Sequence, residues 1–339
     1  MTEMREIDCS VDVVRGSVPE SRHRVHVAVV DAEGQLRAWA GDPDQVTFIR
    51  SAAKPFQALA VEDGGAVERF GISDPELALV CGSHSGAPAH TAAAESILRK
   101  IGLDAEALAC GPHVPWHGPT RRELQEAGLE PVRLHNNCSG KHAGMLALAR
   151  ARGWDTQDYQ RPEHPVQLRM LSEISRWSGV PAEAVAVGTD GCGVVCFALP
   201  LRNLALAYAR LAGAARRGER GPARVVEAMT GHPEMVAGRG RLCTELMRRT
   251  EGRVFAKVGA EGVYCVGIPG AELGVAIKVE DGSTRAVGPA ILGVLRELDL
   301  ISEDDFGAMY ALAYPDVVNT RGEVTGQLRP NVRLRTPEA

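Results

Sequence analysis

Lysine is scarce in this chain. Of 38 basic residues only five are lysine (Lys54, Lys100, Lys141, Lys257 and Lys278) and the rest are arginine. Arginine keeps its proton in a protein whereas a desolvated lysine can lose it, so sparing use of lysine marks places where a neutral amine is wanted, unless a coding bias toward arginine simply left five behind. No basic run exceeds two residues, and a net charge of -5 with a pI near 6.1 gives no field for a polyanion, so nucleic acid is not an expected partner. Nor does any run of about eighteen uncharged apolar residues occur, which leaves no membrane span to expect. The opening "MTEMREIDCSVDVVRGS" has no apolar core of an export signal, so the expected location is cytoplasmic. Eight cysteines in a long cytosolic chain read as thiols, core residues or metal ligands rather than as a disulfide framework.

Neither a repeat of 20 to 50 residues nor a low-complexity linker divides the 339 residues, so the chain reads as one domain, residues 1–339. "RHRVHVAVVDAEGQLRAWAGD" (22–42) alternates around a turn and predicts a β-hairpin. Helical periodicity follows from about residue 57, with a capping box at Ser73 and Glu76, and continues to about 251. Strand patterns return in "RVFAKVGAEGVYCVGIPG" and "ELGVAIKVEDG", then a helix in "PAILGVLRELDL" and a loose tail "NTRGEVTGQLRPNVRLRTPEA". This order predicts an α+β fold: an antiparallel sheet built from both chain ends (about 8–56 and 252–335), with a helical lobe (about 57–251) inserted between.

Ser51 and Lys54 in "RSAAKP" stand one helical turn apart, with Pro55 placing the helix start near Ser51. A neutral lysine there would take the serine's proton and make it a nucleophile, while the bland reading is a plain cap beside a solvated lysine. "CGSHSG" (81–86) offers a loop hydroxyl, Ser83 or Ser85, or else a glycine-serine turn. In "FAKVGAEG" Lys257 opens a strand beside a glycine that admits a substrate to the backbone, or else it faces solvent. Hairpin, Ser-x-x-Lys helix, Ser-x-Ser loop and Lys-x-Gly strand follow one another as in penicillin-recognising serine hydrolases. "HNNCSGKHAGM" and "GTDGCGVVC" bring into view two thiolates, Cys138 and Cys192, with the nearby nitrogen of Lys141 as donors to Zn²⁺, and His135, His142 and Cys196 equally placed; buried core cysteines are the competing reading.

Together "RSAAKPFQ", "CGSHSG", "HNNCSGKHAGML", "GTDGCGVVCFALPL" and "AKVGAEGVYCV" resemble the asparaginase II family of rhizobial type, over roughly residues 20 to 330. The resemblance implies the fold of serine β-lactamases, penicillin-binding proteins and glutaminases, and hydrolysis of L-asparagine to L-aspartate and ammonia. It implies serine-lysine pairs Ser51 with Lys54 and Ser83 with Lys257, which of the two serines attacks being left open. Cys138, Lys141 and Cys192 would hold one Zn²⁺ supported by Asp190, the metal placing substrate rather than attacking it. A glutaminase, another serine amidase or β-lactamase-like hydrolase, or a silent zinc-binding homologue are the alternatives. A small-molecule partner and a homodimer are expected, the latter on base rates.

Overall fold

A computed structural model describes residues 9–337; the first eight residues, which belong to the segment read for an export signal and to the edge of the expected sheet lobe, lie outside the described residues. The chain opens with β1 (Cys9–Arg15), β2 (Val18–Asp31), β3 (Leu36–Ala40) and β4 (Val46–Phe48). Short strands β5 (Ala186–Thr189) and β6 (Val195–Pro200) interrupt the helical section. Then come β7 (Phe255–Val258), β8 (Val263–Ile268), β9 (Leu273–Val279), β10 (Asp316–Val318) and β11 (Val324–Val332). Among the described residues, eight strands form one sheet in the order β10-β11-β1-β2-β9-β8-β7, with β3 also on β2. Its pairings are antiparallel and join both chain ends, so the architecture is the expected α+β one.

The tail read as loose is instead a strand. β11 pairs along β1 from Cys9↔Val332 to Arg15↔Gly326. Only Leu328 of its nine residues is buried, so the apolar alternation that announces a strand is missing. A second sheet, β4-β6-β5, was also not anticipated; it presents the 190–194 loop that carries Cys192.

Every residue of β8 is buried, as befits a strand covered on both faces. The helix Leu201–Arg216 lies across β2, β8 and β9 with Leu204, Ala205, Tyr208, Leu211 and Ala212 inward, a 3-4 spacing that makes one apolar stripe. At Gly274 on β9 a Cβ would collide with the Ala205 carbonyl, so only glycine admits this helix so close. The helix Val287–Glu297 covers the opposite face through Ala290, Ile291, Val294 and Leu295. Burying each such aliphatic side chain contributes about 1.5–3 kcal/mol. β7, the last strand of the order, pairs only with β8, and its free side meets the helical lobe. Among the described residues no helix is long and apolar enough to cross a membrane.

Candidate active site

Three elements meet at that edge. Lys257 sits on β7 opposite Cys265 of β8. Lys54 is the first residue of the helix Lys54–Asp63, which has Pro55 in its first turn, where a missing N–H costs nothing. The helix does not start at Ser51 as expected; Arg50–Ala53 form a 3-10 turn before it, with no side-chain cap. Ser83 stands on the loop between the helices Asp74–Val80 and Pro88–Lys100.

Lys54 and Lys257 both end on Ser83. Lys54 Nζ lies 3.0 Å and Lys257 Nζ 2.8 Å from Ser83 Oγ. Lys54 also donates to the carbonyls of Gly82 (2.5 Å) and Asn137 (3.4 Å), and Lys257 to that of Val258 (2.9 Å). Ser83, Lys54 and Lys257 are 3%, 1% and 0% exposed. Burial drives both ammonium groups toward neutrality: the Lys54 pKa is lowered, and that of Lys257 falls to about 7, helped by the charge of Lys54. Lys54 thus points to Ser83 rather than to Ser51, the pairing expected from spacing; Ser51 Oγ, half-buried, makes no hydrogen bond among the described residues.

The turn before Ser51 is strained. Arg50 adopts a left-handed backbone (φ 50°), which costs a non-glycine residue roughly 1–3 kcal/mol and marks functional sites. Its guanidinium is held 2.8 Å from Asp190 Oδ1 on the loop that carries Cys192. Asp190 therefore ties the Ser51 turn to the thiol loop, a link that sequence spacing does not reveal.

At the far side of Lys54, the helix Ser139–Arg152 has Cys138 at its N-cap position. The Asn136 side chain accepts from Cys138 N–H at 2.9 Å, and Ser139 Oγ meets His84 Nε2 at 2.9 Å. Lys141 Nζ donates to Cys192 Sγ at 2.9 Å, and Cys138 donates its thiol hydrogen to the same sulfur. That bond, then the Lys141 charge, pulls the Cys192 thiol down to about 5, while Cys138 is pushed up to about 12. Burial alone would lower Lys141, but Cys192, Cys138 and Asp190 hold it raised. Two thiols and an amine converging within hydrogen-bond reach suit a thiophilic metal, provided that Lys141 sheds its proton. Among the described residues no group of three or more His, Cys, Asp or Glu is set to hold a metal, so the amine is essential to the candidate set. His135 accepts from Val132 N–H, His142 turns to the Tyr159 hydroxyl at 2.6 Å, and Cys196 is on β6.

Sequence reading also missed Arg241, whose Nη1 donates to the Ser83 carbonyl at 2.7 Å while its guanidinium lies 4.5 Å from the Trp116 ring centroid. No motif around "GRGRLC" separates it from the other arginines.

With this geometry, a family model described as L-asparaginase II matches residues 11–330. No curated protein matches the sequence. Among solved structures, the chain aligns with Mglu in its native form at 18% identity over 83% of this chain, TM-score 0.37. It spans 61% of the length of that protein. A β-lactamase from Mycobacterium bovis aligns at 16% identity over 80% of this chain and 94% of the other, TM-score 0.44.

Proposed function

The chain belongs to the L-asparaginase II family, and from that premise we propose that it hydrolyses the side-chain amide of L-asparagine to L-aspartate and ammonia. Ser51 attacks, and Lys54, Ser83 and Lys257 carry its proton. The observation that supports this reading is Ser83 Oγ held between two buried amines at 3.0 and 2.8 Å. Hydrogen-bond capacity assigns the protons. Lys54 faces three acceptors, Gly82 O, Asn137 O and Ser83 Oγ, which match the three N–H groups of an ammonium. Lys257 faces only Val258 O and Ser83 Oγ, so as a neutral amine it donates to the carbonyl and accepts the serine hydrogen. One charge is shared by the pair, since two in one dry site would repel.

Ser51 is the attacking group because it is the more open of the two serines, Ser83 being enclosed. As Ser51 oxygen bonds the amide carbon, its proton passes to Lys54, that of Lys54 to Ser83, and that of Ser83 to Lys257. The proton then returns to the amide nitrogen, the carbon–nitrogen bond breaks and ammonia leaves; water opens the remaining ester to give aspartate. The Ser51–Lys54 link must close on substrate binding, as such bonds often do. Cys138, Lys141 and Cys192 would hold Zn²⁺, which when bound would add positive charge beside Lys54 and tie the 190–194 loop to the helix Ser139–Arg152.

The test is ammonia release from L-asparagine and L-glutamine by wild type, Ser51→Ala and Ser83→Ala, with folding checked by circular dichroism. Asparagine turnover should fall about 10³-fold or more in each single variant, and little further in the double, because a relay acts as one unit. Near-normal turnover by folded Ser83→Ala would sink the relay, and no ammonia from wild type would sink the activity.

A further inference from the structure

A cavity of about 310 Å³ opens beside the end of β7, and none of Ser51, Lys54, Ser83 or Lys257 lines it. Its walls are apolar. Leu242, Val258, Val287 and Leu312 face it; Val287 is buried, and the other three stay half-buried although they pack against the core. The charged groups on it are of one sign. Arg241 and Arg285 line the cavity, no Asp or Glu does, and neither arginine forms an ion pair among the described residues. Arg241 donates through Nη1 to the Ser83 and Ala237 carbonyls at 2.7 and 3.4 Å and stacks on Trp116, while Arg285 donates to His23 Nε2 at 2.9 Å and Ser21 Oγ at 3.3 Å.

Protein interiors leave few spaces larger than a water molecule, so one of this size needs walls that resist closing. Backbone contacts supply them. A Cβ on Gly288 would fall 2.6 Å from the Leu312 carbonyl and one on Gly259 would fall 2.8 Å from the Ile49 carbonyl, so these lining segments already abut a neighbouring backbone and have no room to move toward it. Thr284 and Arg285 are exposed and mark the mouth, whereas Cys243 and Val287, 2% and 5% exposed, mark the depth. At about 30 Å³ for each non-hydrogen atom, the share of a water in the liquid, the space takes about ten such atoms. A positive rim over an apolar interior complements a short alkyl chain that ends in a carboxylate.

We infer that this cavity is a second ligand site, which takes a free monocarboxylic acid with an apolar chain of about eight carbons, its carboxylate at Arg241 and Arg285 and its chain against Leu242, Val258, Val287 and Leu312. The site stands apart from amide hydrolysis and does not depend on it. An α-amino acid is a poor occupant, because its ammonium would face two guanidinium groups and its remaining polar atoms an apolar wall.

The experiment is titration calorimetry of the whole chain with sodium hexanoate, octanoate and decanoate and with 1-octanol, in wild type, Arg241→Gln, Arg285→Gln and Leu312→Trp, with folding checked by circular dichroism. Octanoate should bind about tenfold more tightly than hexanoate, the effect of burying two more methylenes, and decanoate should gain less than threefold over octanoate because the space is filled. 1-Octanol, which keeps the chain and loses the charge, should bind about tenfold or more weakly than octanoate. Arg241→Gln should remove most of that difference by weakening octanoate alone, and Leu312→Trp, which fills the cavity, should weaken both ligands about tenfold or more. Arg285 is exposed, so Arg285→Gln keeps the fold and covers the case in which the other variants do not; it should weaken octanoate a few-fold and leave 1-octanol as in wild type. No octanoate binding by wild type, octanoate bound no more tightly than 1-octanol, affinity unchanged in every folded variant, or displacement of octanoate by L-aspartate overturns the assignment.

Discussion

Lys141 and Lys257 are both enclosed, at 2% and 0% exposure, and in a medium of one dielectric they would behave alike. They do not. Lys257 looks onto a hydroxyl, a carbonyl and the positive charge of Lys54, so its desolvation outweighs the weak pull of Cys243 and Cys138 and its proton is loosely held, with a pKa near 7. Lys141 looks onto the thiolate-prone Cys192, Cys138 and the Asp190 carboxylate, and their attraction exceeds the same desolvation. Burial thus sets no charge state by itself; the sign of the nearest neighbours does. The two lysines therefore differ in kind: one, free of anions, holds its proton loosely, and the other, among anions, holds it firmly.

Swapping each lysine for methionine, which keeps length and loses the nitrogen, should separate these roles. Lys257→Met takes the final acceptor from the relay, and asparagine turnover should fall by about 10³-fold or more while the fold is kept, since an apolar side chain is welcome in that site. A loss under tenfold, measured by ammonia release, would mean that another group receives the proton. Lys141→Met leaves Lys54, Ser83 and Lys257 untouched and strikes the other neighbourhood. Its Zn²⁺ affinity, read by competition with a chelating dye, should drop by about 10²-fold, as expected from deleting a ligand when even outer partners are worth about 10- to 100-fold. Unchanged affinity would show that Lys141 is only a counter-ion to Cys192.

The strings that carry Ser83, Lys54 and Lys257 were legible because each is a local signature on a predictable element, and the order of elements told which would share an edge. The wiring was not. Spacing put Lys54 beside Ser51 as a helical neighbour, but residues 50–53 wind as a 3-10 turn, and the amine reaches instead across the chain to Gly82, Ser83 and Asn137. β11 hid for a different reason, since a strand with one buried residue in nine leaves no period to read. Arg241 and the Arg50–Asp190 pair hid because their meaning is tertiary: one arginine among 33 becomes notable only when a structure shows it bonded to the Ser83 carbonyl and stacked on Trp116.

The smallest effect is also the one that tests the sign of the comparison. Lys257 has an ordinary value of 10.5 and a folded value near 7, with Lys54 among the causes of the drop. Only the neutral amine accepts a proton, so kcat/KM for asparagine should rise with pH, from about one-tenth of its plateau at pH 6 to about nine-tenths at pH 8. Were Lys257 held like Lys141, its proton would stay on throughout this window and no such limb would appear. Lys54→Gln removes the positive neighbour, so the limb in that weakened enzyme should move to higher pH; Lys141→Met should move it far less because Lys141 bears on Lys54 and is not among the groups that shift Lys257. A wild-type profile flat from pH 5.5 to 8, or a limb that moves to lower pH in Lys54→Gln, would show that the titrating base is not an amine sharing its cavity with a second positive charge.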